Sequence, residues 1–181
     1  LSKKGVSAQY EIAAIGTKRQ RLENIVLGDP ANPDLTADWA EVDVALLSGG
    51  TVRAVRAGGV RIKGRLIDGV LDLGSVSKLL PESDGSPFAL PDIDVSLDSA
   101  GLALDTGKGA LAIGLAGQGN LSDGFAGQIV AKSASIGDPA CRATKVDARG
   151  LVRIVDGRLA FSGPLQAGTL VCSGADASAV S

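Results

Sequence analysis

Residues 21–47 read RLENIVLGDPANPDLTADWAEVDVALL, and they predict two β-strands joined by a rigid turn. Both ends of the stretch are rich in β-branched and aliphatic residues, which favour strands. The middle, residues 28–34, contains Pro30 and Pro33 together with Asp and Asn. Because proline has no backbone N–H to donate to a sheet, these two residues stop either strand from running on.

Alternation of apolar and polar residues follows in the second half of this stretch, from Glu41 to Leu46, and it recurs along the chain. Residues 60–66, 92–98 and 110–116 show the same period of two. Side chains two positions apart share one face of a strand. Each segment therefore predicts a strand with one apolar face and one polar or small-residue face.

The turn residues repeat as well. Asp-Gly occurs at positions 68–69, 123–124 and 156–157, each time between strand-like segments, and it suits the type I′ turn of a two-residue hairpin. The segments LIDGVLDL (residues 66–73) and IVDGRLAF (residues 154–161) resemble one hairpin used twice. We therefore predict an all-β chain with little helix, built as an elongated antiparallel meander.

We expect residues 1–181 to form a single module, because the strand pattern is the same throughout. One helical turn is predicted over residues 75–80, a mobile loop over residues 81–87, and a frayed tail over residues 174–181. The chain starts at Leu1 without Met, so we expect a fragment of a longer protein.

The composition excludes several kinds of function. The 181 residues contain no His, and the 18 Lys and Arg nearly balance the 20 Asp and Glu, for a net charge of −2. Nucleic acid is therefore not an expected partner. Without His, the commonest general base and the commonest metal ligand are both missing, and we expect no metal or cofactor.

Motifs that could carry enzymatic chemistry are incomplete. Residues 75–78 match S-x-x-K, but the K-T-G strand of penicillin-binding enzymes is absent. Residues 105–109 lack the spacing of a phosphate-binding loop. Asp92, Asp94 and Asp98 lie opposite an apolar face, which indicates a solvated surface. We therefore predict that the chain is not an enzyme.

Cys141 and Cys172 are the two cysteines. Two thiols without His cannot complete a zinc site, so the residues leave two alternatives, a pair of free thiols or a disulfide bond.

Between Val44 and Ile67 there are five basic residues and no acidic one, and Arg61, Lys63 and Arg65 alternate along one strand face. This face either is solvated or contacts anionic lipid headgroups. The apolar faces of the strands must also be covered. A closed β-sandwich covers them with protein, whereas an open, curved sheet leaves a groove for lipid chains.

Several stretches resemble one family. Residues 22–30 (LENIVLGDP) with 33–38 (PDLTAD) are similar to the start of AsmA-like envelope proteins of the YdbH branch, which is related to TamB. Residues 88–92 (FALPD), 104–106 (LDT) and 117–131 (GQGNLSDGFAGQIVA) resemble later parts of the same branch.

This resemblance implies a protein of the Gram-negative periplasm, held at the inner membrane by an anchor upstream of this chain. Its repeated β-sheet would form a groove that carries phospholipid between the inner and outer membranes, with other envelope proteins as further partners. An oxidising periplasm favours a bond between Cys141 and Cys172.

We therefore expect a non-enzymatic lipid conduit whose curved sheet holds acyl chains passively. The alternative is a scaffold for the assembly of outer-membrane proteins, without lipid. Arg61, Lys63 and Arg65 are the candidates for headgroup contact. The residues expected to line the groove are Val42, Val44, Val60, Ile62, Ile93, Val95, Leu97, Leu111 and Ile113.

Overall fold

The structure is a computed structural model that describes residues 5–16, 19–45, 51–79, 90–173 and 175–180. These residues form thirteen β-strands in one sheet and one 3₁₀ helix, Gly74–Leu79. The strands are β1 Ala8–Ile15, β2 Arg19–Asp29, β3 Asn32–Ala45, β4 Thr51–Gly58, β5 Val60–Ile67, β6 Val70–Asp72, β7 Asp94–Asp105, β8 Ala110–Asn120, β9 Ala126–Gly137, β10 Cys141–Val155, β11 Arg158–Ser162, β12 Leu165–Cys172 and β13 Ala175–Val180.

Two pairs of short strands each act as one long strand. β4 and β5 keep a single register against β3, with Trp39 opposite Gly58 and Leu35 opposite Ile62. β11 and β12 likewise share one register against β10. The path across the sheet therefore runs from β1 through β2, β3, β4 with β5, β7, β8, β9, β10 and β11 with β12 to β13.

The sheet is open. Among the described residues, β1 pairs only with β2 and β13 only with β12, so the two outer strands do not close a barrel. The predictions of an all-β chain, an open sheet and little helix are confirmed.

The prediction of a wholly antiparallel sheet is wrong. β4 and β5 run parallel to β7, with Val55 opposite Val95 and Ile62 opposite Leu102. Parallel neighbours need a crossover that returns the chain to the end where the first strand began. The connection from β6 to β7 makes this crossover, and its described part contains a 3₁₀ helix in place of the usual α-helix.

Two of the three predicted Asp-Gly hairpins are confirmed. Both central residues have positive φ at Asp68-Gly69 (51° and 79°) and at Asp156-Gly157 (50° and 69°), as a type I′ turn requires. The third prediction is wrong, because at Asp123-Gly124 only the glycine has positive φ. The connection from β8 to β9 instead spans Leu121 to Phe125, and the longer path buries the Phe125 ring.

The turn between β2 and β3 is also hydrogen-bonded to the 3₁₀ helix. The Asp34 carboxylate accepts a hydrogen bond of 2.8 Å from the Ser75 backbone N–H. This bond lowers the pKa of Asp34. A Cβ on Gly28 or Gly74 would meet the same carboxylate, so both positions fit only glycine. The 3₁₀ helix, Gly74–Leu79, matches the helical turn predicted there.

The two predicted irregular segments have different outcomes. The predicted loop over residues 81–87 lies outside the described residues, as do Gly174 and Ser181 of the predicted tail. The rest of the tail forms β13, which pairs with β12.

The sheet curls around its apolar face in the β1–β7 half. Val6, Ile25, Leu27, Ala37, Ala57 and Val60 are all buried, and Leu97 and Ala100 of β7 pack against them. A flat single sheet leaves both faces exposed, so burial of this depth by residues from so many strands requires curvature. Gly150 lies against the backbone around Ser162 and Gly163 so closely that a Cβ would not fit between them.

Candidate functional site

A row of apolar residues crosses nine strands of the sheet. Each member is directly opposite the next, so all of them point to the same side at the places where they pair. We call this the Ile62 row. Its members, from β1 to β12, are Ala8, Leu27, Leu35, Ile62, Leu102, Ile113, Ala131, Ala148 and Leu165.

A second row runs parallel to the first. We call it the Leu97 row, and every one of its pairs is also directly opposed. Its members, from β1 to β11, are Ile12, Leu22, Ala40, Ala57, Leu97, Gly117, Gly127, Val152 and Phe161.

The two rows lie on one apolar face, although strict alternation would separate them. On β3 they are five residues apart, at Leu35 and Ala40, and an odd spacing normally means opposite faces. The strands are irregular between the two rows. Asn24 and Gly59 adopt positive φ, and the register of β7 against β8 shifts between Leu97 and Ala100, so the alternation of side chains between the two faces is interrupted there. Consequently, residues of both rows pack in one cluster.

The opposite, outer face is charged near β2–β4. Arg19 and Arg56 both contact the Asp43 carboxylate, at 2.7 and 3.1 Å, and Arg21 contacts Glu41 at 3.0 Å. The hydrogen bond from Arg19, followed by that from Arg56, lowers the pKa of Asp43. The sheet therefore separates an apolar side from a side covered with ion pairs.

The outer face carries a shallow trough further along the sheet. It has a volume of about 730 Å³, and its floor includes Ala103 and Ala112, with Lys63 and Lys132 beside them. Each lysine already has a partner, because Lys63 donates to Asn32 at 2.7 Å and Lys132 lies 3.8 Å from Asp147. The trough is open, and both lysines at its side are already engaged.

Exposure divides the apolar face into two parts. In β1–β7, the closed half, the face forms the buried cluster around Leu27 and Val60. In β8–β12, the open half, Ile113, Ala131 and Ala148 are half-buried, and the Ile62 row ends at Leu165, which is 59% exposed. The open half thus presents aliphatic side chains to solvent at its Leu165 margin, although Val152 and Ile154 of β10 are buried with Phe125 in a second, smaller cluster.

A protein-family model matches residues 1–179, almost the entire chain. The family is YdbH-like, described as intermembrane phospholipid transport protein YdbH. This chain belongs to the YdbH-like family. No curated protein and no solved structure matches it. The match confirms the predicted AsmA-like, YdbH-branch resemblance. Intermembrane phospholipid transport is the activity that this family's description gives.

In this YdbH-like chain, most residues expected to line the groove are on the apolar face. Ile62 and Ile113 belong to the Ile62 row and Leu97 to the Leu97 row. Val42 and Val95 extend the face towards the start of β4 through their common neighbour Val55. Their contact with lipid stays a prediction.

The remaining expected lining residues differ in their surroundings. Val60 is only 8% exposed and lies within the closed core, so an acyl chain would have to displace its neighbours to reach it. Leu111 is opposite the buried Leu104. Ile93 is half-buried just before β7, and its carbonyl accepts the Leu121 N–H at 3.0 Å. The side chain of Val44 lies outside the described residues.

The three basic residues expected to contact headgroups lie on the outer face, away from the two rows. Arg61, Lys63 and Arg65 alternate along β5 with the apolar-face residues and are all exposed. Arg61 donates to the Val60 carbonyl at 2.9 Å. Their role with headgroups stays a prediction, and this placement puts them outside the groove.

Cys141 and Cys172 form a disulfide bond in the structure. They are directly opposite each other in β10 and β12, with their Cα atoms 4.0 Å apart. The bond therefore fastens β12, next to the outermost strand, to the rest of the open half.

Within the described residues, no cluster of His, Cys, Asp or Glu is arranged to hold a metal ion. No described helix has the length and apolar character needed to span a bilayer.

Sequence reasoning missed the apolar residues that the open half adds. Ile129 and Leu115 are opposite each other on the apolar face, and Phe161 and Leu165 form its exposed margin. Alternation alone places such residues on one side of a strand. It gives no signal of whether a neighbouring strand will cover them, because coverage depends on how the whole sheet curls.

Proposed function

We propose that the apolar face of the open half binds the acyl chains of phospholipid, and that the chain is a non-enzymatic conduit module in the periplasm. The observation that carries the proposal is the continuity of the Ile62 row, which runs from a buried core at Leu27 to an exposed margin at Leu165. Membership of an intermembrane phospholipid transport family gives this surface its ligand class.

The mechanism is passive. Each methylene group of an acyl chain that leaves water contributes about 0.8 kcal/mol, so affinity needs no specific polar site. The lining of the open half is aliphatic or small at Ile113, Ala131 and Ala148, and the hydroxyl of Ser133, two residues further along β9, is already bonded to the Ala110 carbonyl at 2.7 Å. A ligand held by uniform apolar contact can slide along the row, whereas headgroups remain in water.

Native mass spectrometry of the protein purified from a Gram-negative host tests this proposal. We expect a retained phospholipid mass in the parent chain and its loss in Leu165→Asp, because a carboxylate on the apolar face disfavours acyl contact.

Leu151→Asp is the matched control, since Leu151 is also a half-exposed leucine but lies on the outer face opposite Gln128. Circular dichroism should show that both variants stay folded. A parent protein without phospholipid, or equal loss in both variants, contradicts lipid binding on this face and favours a dry scaffold.

A further inference from the structure

Towards the β9–β10 turn, the apolar face of the open half gives way to hydroxyl side chains. Thr144 is directly opposite Ser135 on β9 and Thr169 on β12. The Thr144 and Thr169 hydroxyl oxygens are 2.6 Å apart. We call these three residues the hydroxyl row. It crosses β9, β10 and β12 parallel to the Ile62 row, and on each strand the two rows are four residues or about 13 Å apart.

Alternation along β9 places the hydroxyl row on the apolar face. Up to Ser135, every second residue of this strand is half-buried or buried, and the residues between them are exposed. Ala131 of the Ile62 row and Ser135 are four residues apart, so they lie on the same side. Thr144 and Thr169 share that side, because directly opposed residues share a face. The positive φ of Lys145 on β10 does not affect this result, since the alternation is that of β9.

Arg142 lies beside the hydroxyl row. Its guanidinium donates to the Ser135 hydroxyl at 3.3 Å, and it is two residues from Thr144 along β10. Arg142 and Thr169 are exposed, whereas Ser135 and Thr144 are half-buried. A cation and three hydroxyls thus meet at the water-filled end of the apolar face.

The acidic residues around Arg142 are engaged or distant. The Asp138 carboxylate accepts two backbone N–H groups of its own turn, at 2.9 and 3.0 Å, and lies 3.7 Å from the Lys108 ammonium group. Asp176 on β13 is opposite Val171, and Val171 is opposite Arg142. Two strand spacings, about 10 Å, therefore separate the backbones of Asp176 and Arg142. In the part of the chain that the structure describes, Arg142 forms no ion pair, so its charge is available to an anion.

The group has more hydrogen-bond donors than its own contacts use. In the Thr144–Thr169 pair one hydroxyl donates to the other, so the proton of the accepting hydroxyl is left over. Ser135 accepts from Arg142, so its own proton is also left over, and the guanidinium has further N–H groups. A phosphodiester offers only acceptors, and guanidinium and hydroxyl groups are its usual protein partners. The surplus of donors therefore matches a phosphate.

The apolar surface beside the hydroxyl row is long enough for an acyl chain. Val152 of the Leu97 row is eight residues from Thr144, which is about 26 Å along β10. An acyl chain in a bilayer spans one leaflet, which is half of a hydrocarbon core about 30 Å thick. Val152 is 3% exposed and packs with Phe125, so the face is closed at that end and open to water at the hydroxyl row.

We infer that the hydroxyl row and Arg142 form a subsite for the phosphate of a phospholipid whose acyl chains lie along the strands towards Val152. The inference rests on the proposed function, because it places the headgroup of the same ligand. Arg142 pairs with the phosphate charge, and the hydroxyls donate to its oxygens. Because the hydroxyl row is parallel to the Ile62 row, a lipid that slides across the strands keeps its phosphate among donors. The basic residues of β5 are on the outer face and belong to no part of this subsite.

Two lipids that each carry one palmitoyl chain test the subsite. Palmitoyl-lysophosphatidylglycerol has a phosphate, whereas monopalmitoylglycerol has none. Isothermal titration calorimetry, below the lipid concentrations that form micelles, measures the dissociation constant of each. We expect the parent chain to bind the phosphate lipid about tenfold or more tightly than the neutral lipid, because charge-assisted hydrogen bonds from Arg142 are added.

Arg142→Gln should abolish this preference and leave the affinity for the neutral lipid unchanged. Arg153→Gln is the matched control, since Arg153 is also an exposed arginine of β10 but follows Val152 onto the outer face, opposite Ala126. It should keep the full preference. Equal affinities of the parent chain for the two lipids, or the same loss in both variants, would overturn the subsite.

Thr144→Val removes a hydroxyl and retains the shape of the side chain. It should weaken binding of the phosphate lipid but not of the neutral lipid, because the lost group is a donor to phosphate. An unchanged preference would assign the phosphate to Arg142 alone and overturn the role of the hydroxyl row.

Inorganic phosphate distinguishes a headgroup from a free anion. A large excess of it, at constant ionic strength, should leave binding of palmitoyl-lysophosphatidylglycerol unchanged, because the free ion gains no acyl contact. Full displacement of the lipid would identify a general anion site and overturn the assignment to a headgroup.

The two lipids also separate this inference from the proposed function. If neither lipid binds, the conduit is wrong and the subsite with it. If both bind equally well and Leu165→Asp weakens both, the conduit stands and the phosphate subsite is wrong.

Discussion

The closed half and the open half have the same strand pattern but use it differently. In β1–β7 the apolar face curls on itself, and Leu27 and Val60 are buried below a tenth of their surface. In β8–β12 the same face ends at Leu165, most of which is exposed. The larger buried cluster therefore lies in the closed half, whereas the open half has a smaller cluster around Phe125, Val152 and Ile154 and leaves Leu165 in water.

The largest expected effect comes from truncating one leucine in each half. Leu27→Ala should lower the free energy of unfolding by about 2–5 kcal/mol, since it leaves a cavity in a buried cluster. Leu165→Ala should cost about 0.5 kcal/mol or less, because that side chain is mostly in water. Urea unfolding followed by circular dichroism measures both.

Both leucines belong to the Ile62 row, so the pair differs chiefly in coverage. If the two truncations cost the same, the open half is covered in solution and the contrast between the halves is wrong. The same pair sharpens the proposed function, because added phospholipid should stabilise the parent chain more than Leu165→Ala.

The disulfide gives the next largest effect. The open half has only a small buried cluster of its own, and the bond between Cys141 and Cys172 closes a loop with a sequence separation of 31. Replacing both cysteines with serine should cost about 2–4 kcal/mol, mainly by freeing the unfolded chain. Hydrogen exchange should show the loss of protection in β10 and β12. Equal loss in β2 and β3 would mean that the two halves unfold as one unit.

Local features of the fold could be predicted from the sequence, because the residues that determine them are close together in the chain. The type I′ turn at Asp68-Gly69 needs only two adjacent residues. The side of the sheet on which Ile62 lies follows from the alternation of apolar and polar residues along β5. The prediction at Asp123-Gly124 was wrong because burial of Phe125, a tertiary contact, imposes a longer connection there.

Features that depend on distant strands could not be predicted. The parallel pairing of β5 with β7 is set by a crossover whose residues carry no signal of direction. Leu35 and Ala40 pack against one buried cluster, although their spacing on β3 alone would place them on opposite faces. For the candidate site, the sequence predicted the apolar residues but not which of them would be covered, as the contrast between Val60 and Ile113 illustrates.

The smallest expected effect concerns the carboxylate that holds the 3₁₀ helix against the closed half. The Ser75 N–H lowers the pKa of Asp34 below the ordinary value of a carboxyl, so the ionised form is preferred in the folded state. Its contribution to stability is therefore fully present well above that ordinary value and is lost as the pH falls through the lower pKa of the folded state.

Asp34→Asn keeps an acceptor for Ser75 but cannot titrate. The difference between melting temperatures at pH 6 and pH 3 should therefore be smaller in this variant than in the parent chain. Asp156→Asn is the control, because Asn-Gly preserves the turn between β10 and β11 and the side chain is exposed. An equal reduction in both variants would mean that acid acts on the chain through its overall charge. The hydrogen bond between Asp34 and Ser75 would then add nothing to the stability of the closed half.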